Sequence, residues 1–188
     1  DGTVKIYLNT GAALTLKDSA DIGTEVYSVD WIGNFIVAGG DPTDDNKQVQ
    51  VYEFDPLTET ISLLEQSQKD FNGIVNKVEW HPGGDYMSVV GTGTPDVQVY
   101  DFNGSVLSEI TDSQISFTHA TSAHFDISSD GNYLAVVHYL LGGGNSDKQL
   151  SLYDVSNIDN GVVTYLHGTA FVYPSWGVAW SPNSKYVA

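Results

Sequence analysis

One recurrence constrains this chain more than any other feature. Four times a short alternating run closes on a tyrosine, as Val4-Lys-Ile-Tyr7, Val49-Gln-Val-Tyr52, Val97-Gln-Val-Tyr100 and Leu150-Ser-Leu-Tyr153. The tyrosines stand 45, 48 and 53 residues apart. Apolar and polar residues alternate with period two in each run, the pattern of a strand buried on one face. A fixed period of this length is the mark of a repeat architecture.

A second series precedes the first. Val26-Tyr-Ser-Val-Asp-Trp31, Val75-Asn-Lys-Val-Glu-Trp80 and Trp176-Gly-Val-Ala-Trp180 share one pattern, and Ser122-Ala-His-Phe-Asp-Ile127 fits it with Ile127 in the tryptophan slot. Turn residues follow as His81-Pro-Gly-Gly-Asp85, Ser128-Ser-Asp-Gly-Asn132 and Ser181-Pro-Asn-Ser-Lys185. A strand opening on an aromatic comes next, at Phe35, Tyr86, Tyr133 and Tyr186. Such turn clusters between β-branched runs predict hairpins. More polar runs at 12–16, 60–64, 106–110 and 162–166 close the units. Sustained helical periodicity is nowhere present, and a solenoid would need shorter periods. Four short strands per unit make the blade of an all-β propeller. A single propeller region spans 1–188, with a half blade at 1–20, blades at 24–66, 73–111 and 120–167, and a half blade at 175–188. Together they amount to about four blades.

These residues resemble the WD-repeat propeller family over essentially the whole chain. Asp1-Gly-Thr-Val-Lys-Ile-Tyr7 looks like the third strand of such a blade, with Tyr in the usual Trp slot, and Ala179-Trp-Ser-Pro-Asn-Ser-Lys-Tyr-Val-Ala188 looks like its first and second strands. Asp1, Asp147 and Asn46 precede the closing tyrosines by six residues, where the family places a turn aspartate. The chain departs from the family in having Tyr-Asp, Tyr-Glu or Tyr-Leu for Trp-Asp and no Gly-His before any first strand. The family's His–Ser–Trp hydrogen-bond network is therefore not expected.

Charge narrows the partners. Twenty-four acidic residues face seven basic ones, for a net charge of −17, and every basic residue is lysine. This argues against binding nucleic acid or anionic membrane surfaces, which draw on cations. Without cysteine there is no disulfide, thiolate nucleophile or Cys-ligated zinc.

The search for chemistry yields little. His81, His119, His124, His138 and His167 recur at no equivalent blade positions. His119 and His124, five apart on an extended segment, point to opposite faces, so no metal site is expected. The acidic loop Asp41-Pro-Thr-Asp-Asp-Asn46 lacks the glycine and terminal glutamate of an EF-hand. Gly91-Thr-Gly-Thr-Pro-Asp96 and Gly142-Gly-Gly-Asn145 lead into no helix and carry no lysine for a phosphate. No Gly-x-Ser-x-Gly elbow occurs. No cofactor is expected.

What remains is surface. In a WD-type propeller, the loops from fourth to next first strand share a face with the second-to-third loops. Here that face carries Phe71, Phe117, Tyr139, Leu140, Leu141, Phe171 and Tyr173, which are the expected partner-binding residues. Rigidly presented aromatics are frequent anchors of protein recognition, although they can also tuck between blades as staples. The expectation is a non-enzymatic scaffold for a protein or peptide. The alternative is a propeller hydrolase or lyase whose metal or acid/base site lies in the central channel, where Asp30, Glu79, Asp126 and His124 project from first strands. The two half blades are complementary, so two copies could close an eight-bladed ring as a homodimer.

Overall fold

A computed structural model describes residues 2–41, 47–117, 120–140, 149–171 and 175–188. Strands β1 (Thr3–Asn9) and β2 (Leu14–Asp21) form a two-stranded sheet. Three four-stranded antiparallel sheets follow, each a sequential meander. The first holds β3 (Val26–Ile32), β4 (Phe35–Gly40), β5 (Val49–Asp55) and β6 (Thr60–Leu63). The second holds β7 (Val75–Trp80), β8 (Tyr86–Gly91), β9 (Val97–Phe102) and β10 (Leu107–Glu109). The third holds β11 (Ala120–Ile127), β12 (Tyr133–Leu140), β13 (Leu150–Asn157) and β14 (Val162–Thr169). Among the described residues the only helical pieces are three 3-10 turns of three residues each. The chain is an all-β propeller of four-stranded blades.

The repeat extends to register. Tyr52, Tyr100 and Tyr153 pair across the ladder with Ile36, Met87 and Leu134, one position into the preceding strand each time. Each first strand shifts register near its start, at Val26/Ser28, Val75/Lys77 and Ala120/Ser122. Such bulges bend and twist the strand locally. At the bulge of β7 the neighbouring backbone comes so close that a Cβ on Gly91 would meet Ile74 O at 1.9 Å, which only glycine permits.

The apolar cores are the seams between blades. One joins Val4, Ile6 and Ile22 to Ile36, Ala38 and Tyr52 of the first full blade. The second joins Val37, Val49 and Val51 to Val75, Val78, Trp80 and Phe102 of the next. The third joins Val90 and Val97 to Phe125, Ile127, Leu134 and Tyr153. The first and second full blades thus bury both faces against their two neighbours, as a propeller requires.

The shared pattern predicts that Trp31, Trp80, Ile127 and Trp180 occupy equivalent, largely buried positions, and for two of them this needs correction. Trp80 and Ile127 are buried at 4% and 6% exposure, but Trp31 is 47% exposed and Trp180 is only half-buried. Trp31 and Val29 lie on the face of β3 toward the two-stranded sheet, which has no first or second strand to cover them. The last pair of strands is reduced to one bridge, Trp180 to Val187, flanked by reciprocal backbone hydrogen bonds between Ala179 and Ala188. An isolated hairpin is marginal without a third strand beside it. The closing tyrosine of the half blade, Tyr7, is likewise 48% exposed, whereas its three counterparts are buried.

Candidate functional site

The first strand is the edge of its sheet, and the first strands of consecutive blades run side by side. One face of each carries the polar residues, because period-two alternation turns Val29, Val78 and Phe125 the other way. The row reads Ser28 and Asp30 on β3, Lys77 and Glu79 on β7, and His124 and Asp126 on β11.

Across two of the seams these residues are clamps. Asp30 Oδ2 accepts from Trp80 N at 2.7 Å, and Asp126 Oδ2 accepts from Trp180 N at 2.6 Å. Trp180 Nε1 also donates to Asp126 O at 3.1 Å. Ser28 Oγ accepts from Val78 N at 3.1 Å, so two residues on the same face of β3, Ser28 and Asp30, are tied to the next blade. Carboxylate-to-backbone bonds of this kind are short and charge-assisted.

The seam between β7 and β11 breaks the pattern. Lys77 replaces Ser28 and reaches across to donate to Phe125 O, the counterpart of Val78, with its ammonium 4.9 Å from the Phe125 ring centroid. Glu79 replaces Asp30, and its carboxylate turns to Lys77 at 2.7 Å. Asp126 Oδ1 stands 3.6 Å from the same ammonium. The side chains of Lys77, Glu79 and Asp126 retain 27%, 22% and 23% exposure, so the group is partly desolvated yet reachable.

Burial pushes the Glu79 carboxyl up to about 7; Lys77 opposes the shift, while Asp126 and Asp30 add to it. Burial, then Lys77, hold His124 below the usual imidazole range. A carboxyl that exchanges its proton near neutral pH beside a cation is suited to general acid/base work. Among the described residues no group of three or more His, Asp or Glu side chains is placed to hold a metal ion. Glu79, Asp126, Asp30 and His124 could be named from the strand pattern. Lys77 could not, since only the seam shows that it joins two carboxylates; its one signal was a lysine in the register of Ser28 and His124.

The expected partner-binding residues fare differently. Phe71 is 3% exposed and presents no surface to a partner, which corrects its assignment. Its backbone N donates to Gln48 Oε1 at 2.8 Å, and its ring packs where a side chain on Gly91 would stand. Phe117 repeats the arrangement one blade later. Its N donates to Asp96 Oδ2 at 2.6 Å, and its ring stacks on His138 with centroids 4.1 Å apart. Phe171 N donates to Gln149 Oε1 at 2.8 Å, and Phe171 is 42% exposed. These three phenylalanines are one structural device. Tyr139 and Leu140 belong to the backbone of β12, and their side chains lie outside the described residues, as do Leu141 and Tyr173.

His81 lies elsewhere. It is buried at the end of β7, bonded to Ser88 Oγ at 3.0 Å, and burial depresses it to about 4. A neutral, packed imidazole of this kind is structural.

No protein-family model and no curated protein matches the sequence. Solved structures do. A candidate 6-phosphogluconolactonase from Bacteroides uniformis superposes with a TM-score of 0.75 at 15% identity, covering 99% of this chain and 57% of its own. The periplasmic gluconolactonase of Pseudomonas aeruginosa gives 0.69 at 16% identity, with 98% and 55% covered. The β-propeller domain of Cps50 (Swd1) from Myceliophteria thermophila gives 0.59 at 13%, with 85% and 48% covered. The chain therefore spans about half the length of the structures it matches. The expectation of a chain without enzymatic activity is corrected by two of these neighbours, which carry lactonase names on the same fold. At these identities the likeness establishes one thing, that this chain has the β-propeller fold of these structures.

Proposed function

We propose that the chain is part of a propeller hydrolase that opens sugar lactones, with its acid/base site at Lys77, Glu79 and Asp126. The observation that carries the proposal is Glu79. At the one seam where an inner-strand carboxylate is not a clamp, it is desolvated, paired with a lysine and poised near neutral pH. The lactonase names of two structural neighbours supply the substrate class.

The chemistry follows from the groups. Deprotonated Glu79 takes a proton from water as the water oxygen attacks the lactone carbonyl. The Lys77 ammonium offsets the negative charge that develops on the carbonyl oxygen. The ring C–O bond then breaks, and the proton held by Glu79 passes to the departing ring oxygen, giving the open hydroxy acid. Asp126 keeps Lys77 at the seam and, as a second negative charge, holds the Glu79 proton affinity high. Lys77 is the sole cation described at the seam and is shared by two carboxylates, which suits a neutral sugar lactone better than a phosphorylated one.

The test is hydrolysis of glucono-δ-lactone above its spontaneous rate. Glu79→Gln keeps the shape and removes the base, and should lower kcat/KM by about 10²–10⁴-fold. An unchanged rate in a folded Glu79→Gln protein would refute the assignment.

A further inference from the structure

Where first strands turn into second and third into fourth, the three full blades leave a recess at each of the two seams between them. The recess between the first and second full blades is open, with a volume of about 560 Å³ and a lining that includes Ile32, Phe35, Phe102, Asp85 and Asn103. Its counterpart one blade later retains about 180 Å³. The backbone fixes the correspondence. Phe54 N, Phe102 N and Val155 N donate to Asn34 O, Asp85 O and Asn132 O, so Phe35 occupies the place of Tyr86, and Phe102 that of Val155.

The difference has a local cause. In the third full blade the link from β13 to β14 contains the 3-10 turn Ile158–Asn160. Ile158 is driven into the recess at 6% exposure, and Asp159 accepts a hydrogen bond from the Tyr86 hydroxyl of the preceding blade. The matching link in the second full blade is the tight Asn103-Gly104 turn, with Gly104 at φ 90°, which carries nothing to insert. The first hairpin of the first full blade is also short, Gly33-Asn34 between β3 and β4 against five residues, 81–85, between β7 and β8. The protein thus shows what fits such a recess and leaves one of them empty of its own chain.

We propose that the open recess is a docking site for a partner peptide whose turn presents a branched aliphatic side chain flanked by basic residues. Ile158 sets the apolar anchor. Phe35 has no hydroxyl to hold a carboxylate as Tyr86 holds Asp159, so the residue after the anchor is neutral. Asp85 in the lining and the net charge of −17 favour lysine on either side. A recess of this size, lined by the apolar Ile32, Phe35 and Phe102 together with polar groups and glycines, lies in the range of ligand-binding clefts. The site is separate from Lys77 and Glu79, neither of which lines it.

The experiment titrates the protein with a blocked synthetic peptide, Lys-Ser-Asn-Ile-Asn-Asn-Gly-Lys, and follows side-chain NMR signals. Saturable shifts are expected at Ile32, Phe35 and Phe102, with affinity falling about tenfold or more when the isoleucine is changed to serine. Phe35→Tyr should shift the preference toward the peptide with Ile-Asp in place of Ile-Asn. A second protein, in which the 156–161 link replaces 103–105 and Phe102 is kept, should fill its own recess, melt higher and no longer bind. Absence of saturable shifts at millimolar peptide, equal binding of the serine peptide, or undiminished binding by the grafted protein would each overturn the proposal.

Discussion

The seam between β3 and β7 and the seam between β7 and β11 are built from the same strand pattern, yet they hold differently. At the first, Asp30 is short enough to close on Trp80 N, and the carboxylate is spent on structure. At the second, Glu79 carries one more carbon, pairs with Lys77, and keeps a proton affinity near neutrality. A single methylene, with a lysine two residues before it, converts a clamp into a group able to exchange protons. In a repeat protein, the place where the repeat stops repeating is where chemistry can be sought.

The largest expected effect separates the structural sides of the seams. Trp80 is buried against Phe102 with ring centroids 5.1 Å apart, so Trp80→Ala should cost about 3–5 kcal/mol in denaturant unfolding. Trp31 occupies the same place in its strand but is half exposed, and Trp31→Ala should cost about 1 kcal/mol or less. Equal losses would show that Trp31 is covered in solution.

The next effect separates the carboxylates. Asp30→Ala removes a charge-assisted bond to Trp80 N, and since Asp30 is only half-buried the loss should fall at the lower end of about 1.5–3 kcal/mol. Glu79→Gln removes a partly desolvated charge and should leave stability at pH 8 within about 1 kcal/mol of the parent. If Glu79→Gln proves the costlier change, Glu79 is a clamp like Asp30 and the contrast fails.

Much of this architecture was legible in advance. The tyrosine spacing, the turn clusters and the period-two runs mark sixteen strand runs, of which fourteen are strands and the last two, at 176–180 and 186–188, come down to one bridge, because each signal is local and reports nothing of the strand beside it. Trp31 is exposed where its slot in the repeat predicts burial, because burial depends on which strands cover it, and no property of Val26-Tyr-Ser-Val-Asp-Trp31 reports that. Phe71 and Phe117 were assigned to a binding surface because sequence shows an aromatic in a loop but not the Gln48 or Asp96 side chain that holds its backbone, nor the Gly91 or His138 beneath its ring. Glu79 was visible as one of several inner-strand acids, but its pairing with Lys77 depends on the geometry of the seam.

The smallest effect sharpens the contrast through pH. The Glu79 carboxyl has a higher pKa folded than unfolded, so the native state holds the proton more tightly. Its contribution to stability is therefore fully present below its ordinary value, is lost as pH rises toward about 7, and is level above that. Glu79→Gln should flatten this part of the stability curve, whereas Asp30→Asn should leave it in place. A parent curve that is already level between those limits would mean that Glu79 titrates normally.

The most direct measurement is the pH–rate profile of glucono-δ-lactone hydrolysis by the parent protein and by Glu79→Gln, with the spontaneous rate subtracted. The parent kcat/KM should rise through a pKa of about 7 as Glu79 loses its proton, and the variant should lack that inflection and fall by about 10²–10⁴-fold while remaining folded. A parent rate no greater than the buffer rate, or an unaltered profile in the variant, would contradict a hydrolase working through Glu79.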